Sequence, residues 1–391
     1  MAVQEIRPRV YSVGARDWDR RIFDELIPLP DGTSYNAYIV MGSEKTVLID
    51  SVDPPKTAEL MANLDTLKVK NIDYVVCNHT EQDHSGAIPH VLAKFPKAKV
   101  VTNEKCKGLL ADHLLIPDDK FITIKDRETL SLGDKTLDFL MTPWVHWPET
   151  MSTYLIEDKI LFSCDFFGSH HATSDLFVRS EPKVIEDAKR YYAEIMMPFR
   201  GIIKKNIEKV ESLDVDIIAP SHGPLYDKPE IIIEAYKEWI SDNVENVVLI
   251  PYVSMHGSTE VMVNFLTEKL MDKGITVKPF NLPKTDLGQL AMSIVDAATI
   301  VIGSPTVLAG PHPSAVYTAV LVNALRPKVK YAAIIGSYGW GGRAVEVIQS
   351  NMSNLKVEIL DPVLVKGHPR DEDYKNLEKL ADTIAEKHKN L

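Results

Sequence analysis

Four potential metal ligands lie within six residues, directly after an apolar run that predicts a buried strand at 72–77. They are His79, Glu81, Asp83 and His84. Imidazole nitrogens and carboxylate oxygens ligate transition metals, and a loop that leaves a buried strand can aim such side chains inward. The segment therefore predicts one half of a binuclear metal site.

Three later segments repeat this arrangement of an apolar run followed by a potential ligand. They are 136–141 before His146, 159–164 before Asp165, and 214–219 before His222. A single polar residue at the end of a strand is usually a capping or solvated group. Taken together, however, these positions favour ligands that gather at one edge of a sheet sandwich.

The length and composition indicate a globular protein with more than one core. A chain of 391 residues exceeds an ordinary single domain, and 45% apolar with 25% charged residues is typical of soluble proteins. The net charge of −11, without a cluster of Lys and Arg, argues against nucleic acid as a partner.

Cysteine usage and the N-terminus bear on the cofactor and the compartment. Cys77, Cys106 and Cys164 form no Cys-x-x-Cys pair, which argues against a rubredoxin-type iron site and a disulfide framework. The N-terminus has no secretion signal, and no apolar stretch approaches the roughly 18 residues of a membrane span. We therefore expect a cytoplasmic protein with no membrane partner.

Strands and helices alternate regularly after a domain boundary that we place between residues 245 and 246. Predicted strands lie at 246–251, 276–280, 299–303, 330–336 and 356–360, and predicted helices at 260–271, 287–296, 315–323, 344–354 and 372–387. This alternation predicts a parallel sheet with helices on both faces. Such sheets bind ligands at the carboxyl ends of their strands.

Three loops at this edge could bind a flavin. The loop before the first predicted helix of this region could bind a phosphate or merely cap that helix. The sequence contains neither a P-loop motif nor a dinucleotide-binding motif. The other two combine small residues with aromatic rings and resemble flavodoxin, which implies FMN. The loops comprise Ser254, Met255, His256, Gly257, Ser258 and Thr259; Ser304, Pro305, Thr306, Val307 and Gly310; and Ser337, Tyr338, Gly339, Trp340 and Gly341, with Trp340 or Tyr338 as the stacking ring.

The metal motif resembles the His-x-His-x-Asp-His motif of the metallo-β-lactamase superfamily, with Glu81 in place of its second histidine. A carboxylate there makes the site harder and better suited to iron than to zinc. Followed by flavodoxin-like loops, the motif resembles the flavodiiron proteins. The resemblance implies an α/β chain: a metallo-β-lactamase-like αββα sandwich at 1–245 and a flavodoxin-like doubly wound parallel sheet at 246–391.

The family resemblance also implies a ligand set. One iron would be held by His79, Glu81 and His146, and the other by Asp83 and His222, with Asp165 as the bridge. His84 either ligates the second iron or leaves that position to water. His170, His171 and Tyr192 are candidate proton donors or pocket residues, with a surface or packing role as the alternative.

The implied activity is reduction of O2 to water, of NO to N2O, or of both. FMN would pass electrons to a di-iron centre from an external donor, F420H2 or rubredoxin, since no rubredoxin segment follows the flavodoxin-like part. The family pattern also implies a homodimer or homotetramer built from head-to-tail dimers.

Two other functions remain open at this level. A metal-dependent hydrolase with a flavodoxin-like regulatory domain would use a metal-bound hydroxide, for which zinc would suffice. An electron carrier or redox sensor would instead have a closed, structural metal site.

Overall fold

The computed structural model describes residues 3–391, which form two compact units. The first unit contains the described residues up to Tyr191 together with Phe199–Ile240. The second contains Tyr192–Pro198 together with Ser241–Leu391.

Two β-sheets form the centre of the first unit. Its strands are β1 (Gln4–Arg7), β2 (Val10–Ser12), β3 (Ala15–Asp17), β4 (Ile22–Phe23), β5 (Ile27–Pro28), β6 (Thr33–Tyr35), β7 (Tyr38–Met41), β8 (Thr46–Ile49), β9 (Tyr74–Val76), β10 (Lys99–Thr102), β11 (Phe121–Thr123), β12 (Thr129–Ser131), β13 (Thr136–Met141), β14 (Met151–Leu155), β15 (Ile160–Cys164) and β16 (Ile217–Pro220). The larger sheet has the order β1-β2-β7-β8-β9-β10-β11, and the smaller has the order β12-β13-β14-β15-β16. Strands β3 and β6 form one small ribbon, and β4 and β5 form another.

Helices flank these sheets. They are α1 (Thr57–Thr66), α2 (Gln82–Ser85), α3 (Ile88–Lys94), α4 (Glu104–Leu114), α5 (Glu181–Tyr191), α6 (Arg200–Glu211) and α7 (Pro229–Ile240), with 3-10 turns at Pro54–Lys56 and Asp118–Lys120. In the chain, α5 is followed by a π-helical turn at Tyr192–Met196, which belongs to the second unit, and by a 3-10 turn at Met197–Phe199.

The apolar core of the first unit lies in layers, which β8 illustrates. Val47 and Ile49 belong to the cluster between the two sheets, whereas Leu48 belongs to the cluster under α1, α3 and α4. This follows from the two-residue period of a strand. Full burial of each such side chain contributes about 1.5–3 kcal/mol. On the outer side of the smaller sheet, Lys209 of α6 donates to the carbonyl oxygen of Met141. The predicted αββα sandwich is confirmed.

The second unit is built on one parallel sheet. Its strands are β17 (Glu245–Tyr252), β18 (Thr276–Asn281), β19 (Ala297–Val307), β20 (Gly310–Pro311), β21 (Tyr331–Tyr338), β22 (Glu358–Ile359) and β23 (Val363–Lys366), and its helices are α8 (Ser258–Met271), α9 (Leu287–Ile294), α10 (Pro313–Leu325), α11 (Ala344–Ser350) and α12 (Asp371–His388), with a 3-10 turn at Leu282–Lys284. The order β18-β17-β19-β21-β22 reverses direction between β17 and β19, which is where doubly wound sheets bind ligands. The flavodoxin-like fold is confirmed. Among the residues described, no helix has both the length and the apolar character to cross a membrane.

Three strands of the second unit differ from the sequence prediction. β19 continues through Val307 and turns back into β20, and β21 continues through Tyr338, so parts of both predicted flavin loops are strand. The predicted strand at 356–360 is reduced to β22, and β23 continues the same sheet edge beside β21. Pro362, which has no N–H to donate to a ladder, lies between these two pieces.

The surroundings of His388, near the end of α12, lead us to expect that the stability of the folded protein depends on pH. Its Nδ1 lies 2.7 Å from Asn246 Oδ1 and its Nε2 lies 2.7 Å from Thr299 Oγ1, and burial lowers the pKa of His388 below its ordinary 6.5. The neutral ring is therefore preferred in the folded state. Its stabilising contribution is complete above pH 6.5 and is lost as the pH falls below that value.

We expect His388→Gln to lose about 1 kcal/mol at neutral pH, and to show a smaller further loss than the unmodified protein on acidification. Urea unfolding at two pH values measures both effects. The exposed His368→Gln serves as the control. Equal pH dependence in all three proteins would contradict the assignment.

Candidate functional site

The structure brings all seven predicted metal ligands together in the first unit. One group contains His79, Glu81, His146 and Asp165, whose ligand atoms all lie within 4.8 Å of one another. Glu81 Oε2 is 3.2 Å from His79 Nε2 and 3.1 Å from His146 Nε2. Ligand atoms about 3 Å apart match the edges of a coordination shell with metal–ligand distances of about 2.1 Å. This group fits one metal ion.

A second group contains Asp83, His84 and His222, again with ligand atoms within 4.8 Å of one another. Asp83 Oδ2 lies 3.1 Å from His222 Nε2, and Asp83 Oδ1 lies 3.3 Å from His84 Nε2. The ring of His84 is buried and directed into the group. Of the two roles left open for His84, the geometry therefore supports ligation.

Asp165 joins the two groups. Its Oδ2 lies 3.3 Å from His146 Nε2 and 3.5 Å from His79 Nε2. Its Oδ1 lies 3.0 Å from His84 Nε2 and 3.3 Å from His222 Nε2. One carboxylate oxygen thus faces each group, as a ligand that bridges two metal ions requires.

The electrostatics of the cluster favour a cation. Burial alone lowers the pKa of His146, but the nearby carboxylates of Asp165 and Glu81 raise it to about 9. Asp165 and Asp83 likewise outweigh burial and raise the pKa of His222 to about 10. The Asp83 and Asp165 oxygens are buried without a hydrogen-bond partner among residues 3–391. Burial of a carboxylate without a hydrogen-bond partner costs free energy. Metal ions that bind histidine and carboxylate ligands would compensate the charges of Asp83 and Asp165.

Two ligand histidines are oriented through their second ring nitrogen. His79 Nδ1 is 2.7 Å from Glu149 Oε1, which also accepts from the backbone N–H and the hydroxyl of Thr80. His222 Nδ1 is 2.7 Å from the carbonyl oxygen of Ser34. These partners accept the proton of Nδ1, so Nε2 is the nitrogen that faces the cluster. Sequence reasoning missed them, although a carboxylate three residues after His146 was an available signal.

The ligand segment itself is fixed by the end of β8. Buried Asp50, with φ of 54°, accepts from the backbone N–H and side-chain amide of Asn78. Burial raises the pKa of Asp50 to about 6. Ser51 donates to the carbonyl oxygen of His84 from both its backbone and its hydroxyl. Asp50 and Ser51 thus hold the two ends of the ligand segment.

Part of the ligand segment is helical rather than loop. Asp83 and His84 lie in the short helix α2, which begins directly after Glu81. The other predicted ligands follow strands as expected, and Cys164, with φ of 54°, ends β15 and places Asp165 in the cluster. A non-glycine residue in the left-handed region is uncommon, and here it redirects the chain at a ligand.

The three candidate proton donors have different surroundings. His170 is buried against His222, with ring centroids 4.8 Å apart. His171 Nδ1 lies 3.0 Å from the buried carboxylate of Asp187. Tyr192 is buried in the segment that groups with the second unit. His170 is therefore the one that the structure of the first unit brings next to a predicted ligand.

In the second unit, the predicted phosphate loop leads into α8. Gly257, with φ of 86°, precedes the first turn of the helix, and Ser254 Oγ accepts from the backbone N–H of Glu260. Thr259 Oγ1 lies 3.4 Å from Ser337 Oγ, which connects this loop to the end of β21. A helix N-terminus with free N–H groups and hydroxyls suits a phosphate dianion.

The predicted ring-binding segments leave an open surface beside that loop. Apart from the flanking residues, no described atom lies within 4 Å of the position that a Cβ would take at Gly257, Gly310, Gly339 or Gly341. Trp340 is 84% exposed, whereas Tyr338 is half-buried at the end of β21. An uncovered indole beside small residues fits a flat aromatic ligand, which favours Trp340 as the stacking side chain.

We predict that replacing both Ser254 and Thr259 with alanine lowers FMN affinity by about tenfold or more, because each hydroxyl can donate to the phosphate. Iron content should not change. Fluorescence titration of the apoprotein with FMN and metal analysis measure the two properties. Thr267→Ala, on the same helix α8, is the control. Parallel loss of iron and FMN would contradict two separate sites.

Comparison with known proteins agrees with both sites. The family model "ODP family beta lactamase" matches residues 33–223. A nitric oxide reductase from Moorella thermoacetica is 36% identical over 389 residues, with 96% of each chain covered. A coenzyme F420H2 oxidase from Methanothermobacter marburgensis is 34% identical over 372 residues, with 92% of each covered. The solved structure of rubredoxin oxygen:oxidoreductase from Desulfovibrio gigas shares 32% identity, with a TM-score of 0.95 and 99% of both chains covered.

The fold and the clustered ligands define a flavin- and iron-dependent oxidoreductase. The chain belongs to the flavodiiron protein family, whose cofactors are FMN and a non-haem di-iron centre. The predicted family, enzyme class and cofactors are confirmed.

Proposed function

We propose that this chain reduces O2 to water, NO to N2O, or both, with electrons that FMN relays from an external donor. The observation that carries the proposal is the position of Asp165, which presents one carboxylate oxygen to each of two ligand groups. The relatives support both substrates, because their names include a nitric oxide reductase and an oxygen oxidoreductase.

We assign the seven ligands as two sets joined by one bridge. His79, Glu81 and His146 would hold one iron, and Asp83, His84 and His222 the other, with Asp165 between them. Ions held there would supply the redox chemistry that reduction of the diatomic gas needs.

The protein's own part is to orient the ligands and to shield them from bulk solvent. Glu149 and the carbonyl oxygen of Ser34 hold the rings of His79 and His222 with Nε2 toward the metal. Phe23, Tyr35 and Tyr191 pack around His222, with ring centroids 6.5, 6.0 and 5.8 Å away. These buried rings shield His222 from bulk solvent on the sides that they cover.

We place the phosphate of FMN on the loop Ser254–Thr259, and its ring system between the ends of β19 and β21. Ser304 to Gly310 and Ser337 to Gly341 would surround the ring. The exposed indole of Trp340 and the open glycines of these segments support this placement.

The hydrolase alternative is not favoured. The three proteins compared above are named as oxidoreductases, and Glu81 supplies the carboxylate that distinguishes this ligand set from the common four-histidine arrangement. A purely structural metal site would not require a carboxylate shared between two ligand groups.

We propose an external donor of the F420H2 or rubredoxin type, because each occurs in the name of a relative. A homodimer or homotetramer of head-to-tail dimers, which would place the flavin of one subunit near the irons of another, remains our prediction from the family resemblance. The cytoplasmic location likewise stays a prediction.

Metal and flavin analysis, followed by anaerobic reduction and separate additions of O2 and NO, tests the proposed function. We expect about two irons and one FMN per chain, and reoxidation by at least one gas faster than that of free FMN. The gas that reoxidises the protein faster is the preferred substrate. Zinc in the site, with reoxidation no faster than that of free FMN, would overturn the proposal.

A further inference from the structure

A group of buried polar side chains extends from the metal cluster into the first unit. Ser169 Oγ, His170 Nε2 and Tyr226 OH are buried, and no hydrogen-bond partner for them occurs among residues 3–391. Buried polar atoms are normally paired, and those without a protein partner usually bind ordered water. Ordered water would satisfy these three atoms.

The outer end of this group is an ion-pair network on α5. Lys183 and Asp187 lie one helical turn apart, with 2.7 Å between Lys183 Nζ and Asp187 Oδ1. Lys183 also pairs with Asp31 at 2.7 Å. The side chains of Lys183 and Asp31 are 39% and 37% exposed, whereas that of Asp187 is only 6% exposed. Asp187 therefore connects surface groups with the interior, where its Oδ2 lies 3.0 Å from His171 Nδ1.

The inner end lies against His222. The backbone N–H of Ser169 donates to the carbonyl oxygen of His222, and the ring of His170 packs against the ring of His222. A Cβ at Gly223 would lie 2.1 Å from Ser169 Oγ, so Gly223 is needed to admit this hydroxyl. Burial raises the pKa of Tyr226, the nearby hydroxyl of Ser169 lowers it, and the carboxylate of Asp187 raises it further, so the phenol lies near both groups.

We propose that water held by Asp187, Tyr226, Ser169 and His170 conducts protons from the surface to the metal centre. This inference rests on the proposed function. Reduction of O2 to two water molecules takes up four electrons and four protons, and reduction of two NO to N2O and water takes up two of each. The electrons come from the external donor through FMN, and the protons come from solvent at Lys183 and Asp31. Asp187 relays them, because its carboxylate can accept and release a proton.

Asp187→Asn tests the path, because an amide preserves the shape but cannot relay a proton. We expect turnover to fall by about tenfold and the ratio of rates in H2O and D2O to rise, while iron and FMN contents stay the same. Asp187→Glu, which restores a carboxylate, should regain part of the turnover. Asp138→Asn, at a buried aspartate paired with Arg127 away from the path, should change neither turnover nor the isotope effect.

Tyr226→Phe supplies an independent test, because it removes one hydroxyl and no charge. We expect a smaller fall in turnover with the same increase in the D2O effect. If either folded variant keeps the turnover and isotope effect of the unmodified protein, the proton path is wrong. Absence of gas reduction by the unmodified protein, when loaded with iron and FMN, would instead overturn the proposed function.

Discussion

Asparagine in place of Asp165 is expected to abolish gas reduction, lowering turnover by more than about 100-fold, while FMN stays bound. The Asp165 carboxylate presents one oxygen to each ligand group. The amide of asparagine has only one oxygen that can ligate a metal ion, and it carries no charge. The two iron positions would then lose their shared ligand. Turnover with O2 and with NO, together with iron and FMN contents, measures the effect.

The matched control is again Asp138→Asn, because Asp138 is a buried aspartate of the same unit that lies on β13 and pairs with Arg127. It should retain iron and turnover. Full activity of Asp165→Asn, or equal inactivation by both variants, would show that Asp165 is not the bridge.

Removal of the Glu149 side chain is expected to weaken iron binding by about 10- to 100-fold, although Glu149 is not a predicted ligand. Its Oε1 lies within hydrogen-bonding distance of His79 Nδ1 and of two donors of Thr80, and so fixes both the ring orientation and the start of the ligand segment. Glu149→Ala removes all three contacts. Chelator competition monitored by iron analysis measures the loss.

Glu149→Gln separates the charge of this residue from its geometry, because an amide oxygen can still accept a hydrogen bond but carries no charge. We expect its iron affinity to lie between those of the unmodified protein and Glu149→Ala. Glu157→Gln, which alters an acceptor for the backbone N–H of Thr136, is the control. Unchanged iron affinity in Glu149→Ala would remove Glu149 from the site.

The ligand positions could be predicted because each combines a local signal with a strand end. His146, Asp165 and His222 follow β13, β15 and β16 within a few residues, and the residue types identify metal chemistry. The sheet edge that carries the proposed flavin loops could be predicted for the same reason, since parallel strands place their carboxyl ends at one edge. The continuation of β19 and β21 into those loops was missed, because glycine and proline signal a turn even where strand pairing persists.

Apart from Glu149, which follows His146 by three residues, the orienting residues could not be predicted. Asp50 and Asn78, and likewise Ser34 and His222, are distant in sequence, and a polar residue near a strand end carries no mark of its partner. The path through Asp187 and Tyr226 has the same character. The residues of this path differ from ordinary buried polar residues only because some of their side-chain atoms have no hydrogen-bond partner among residues 3–391.

By itself, the sequence determined which chemical groups are available and the order of the elements that bear them. Short-range physics suffices for that, because strand and helix periods and residue chemistry are local. The tertiary structure decided that Asp165 faces two ligand groups, that His84 points into one of them, and that Glu149 orients His79. Those outcomes depend on ångström-scale distances between segments far apart in the chain, which are set by packing of the two sheets and not by local preference.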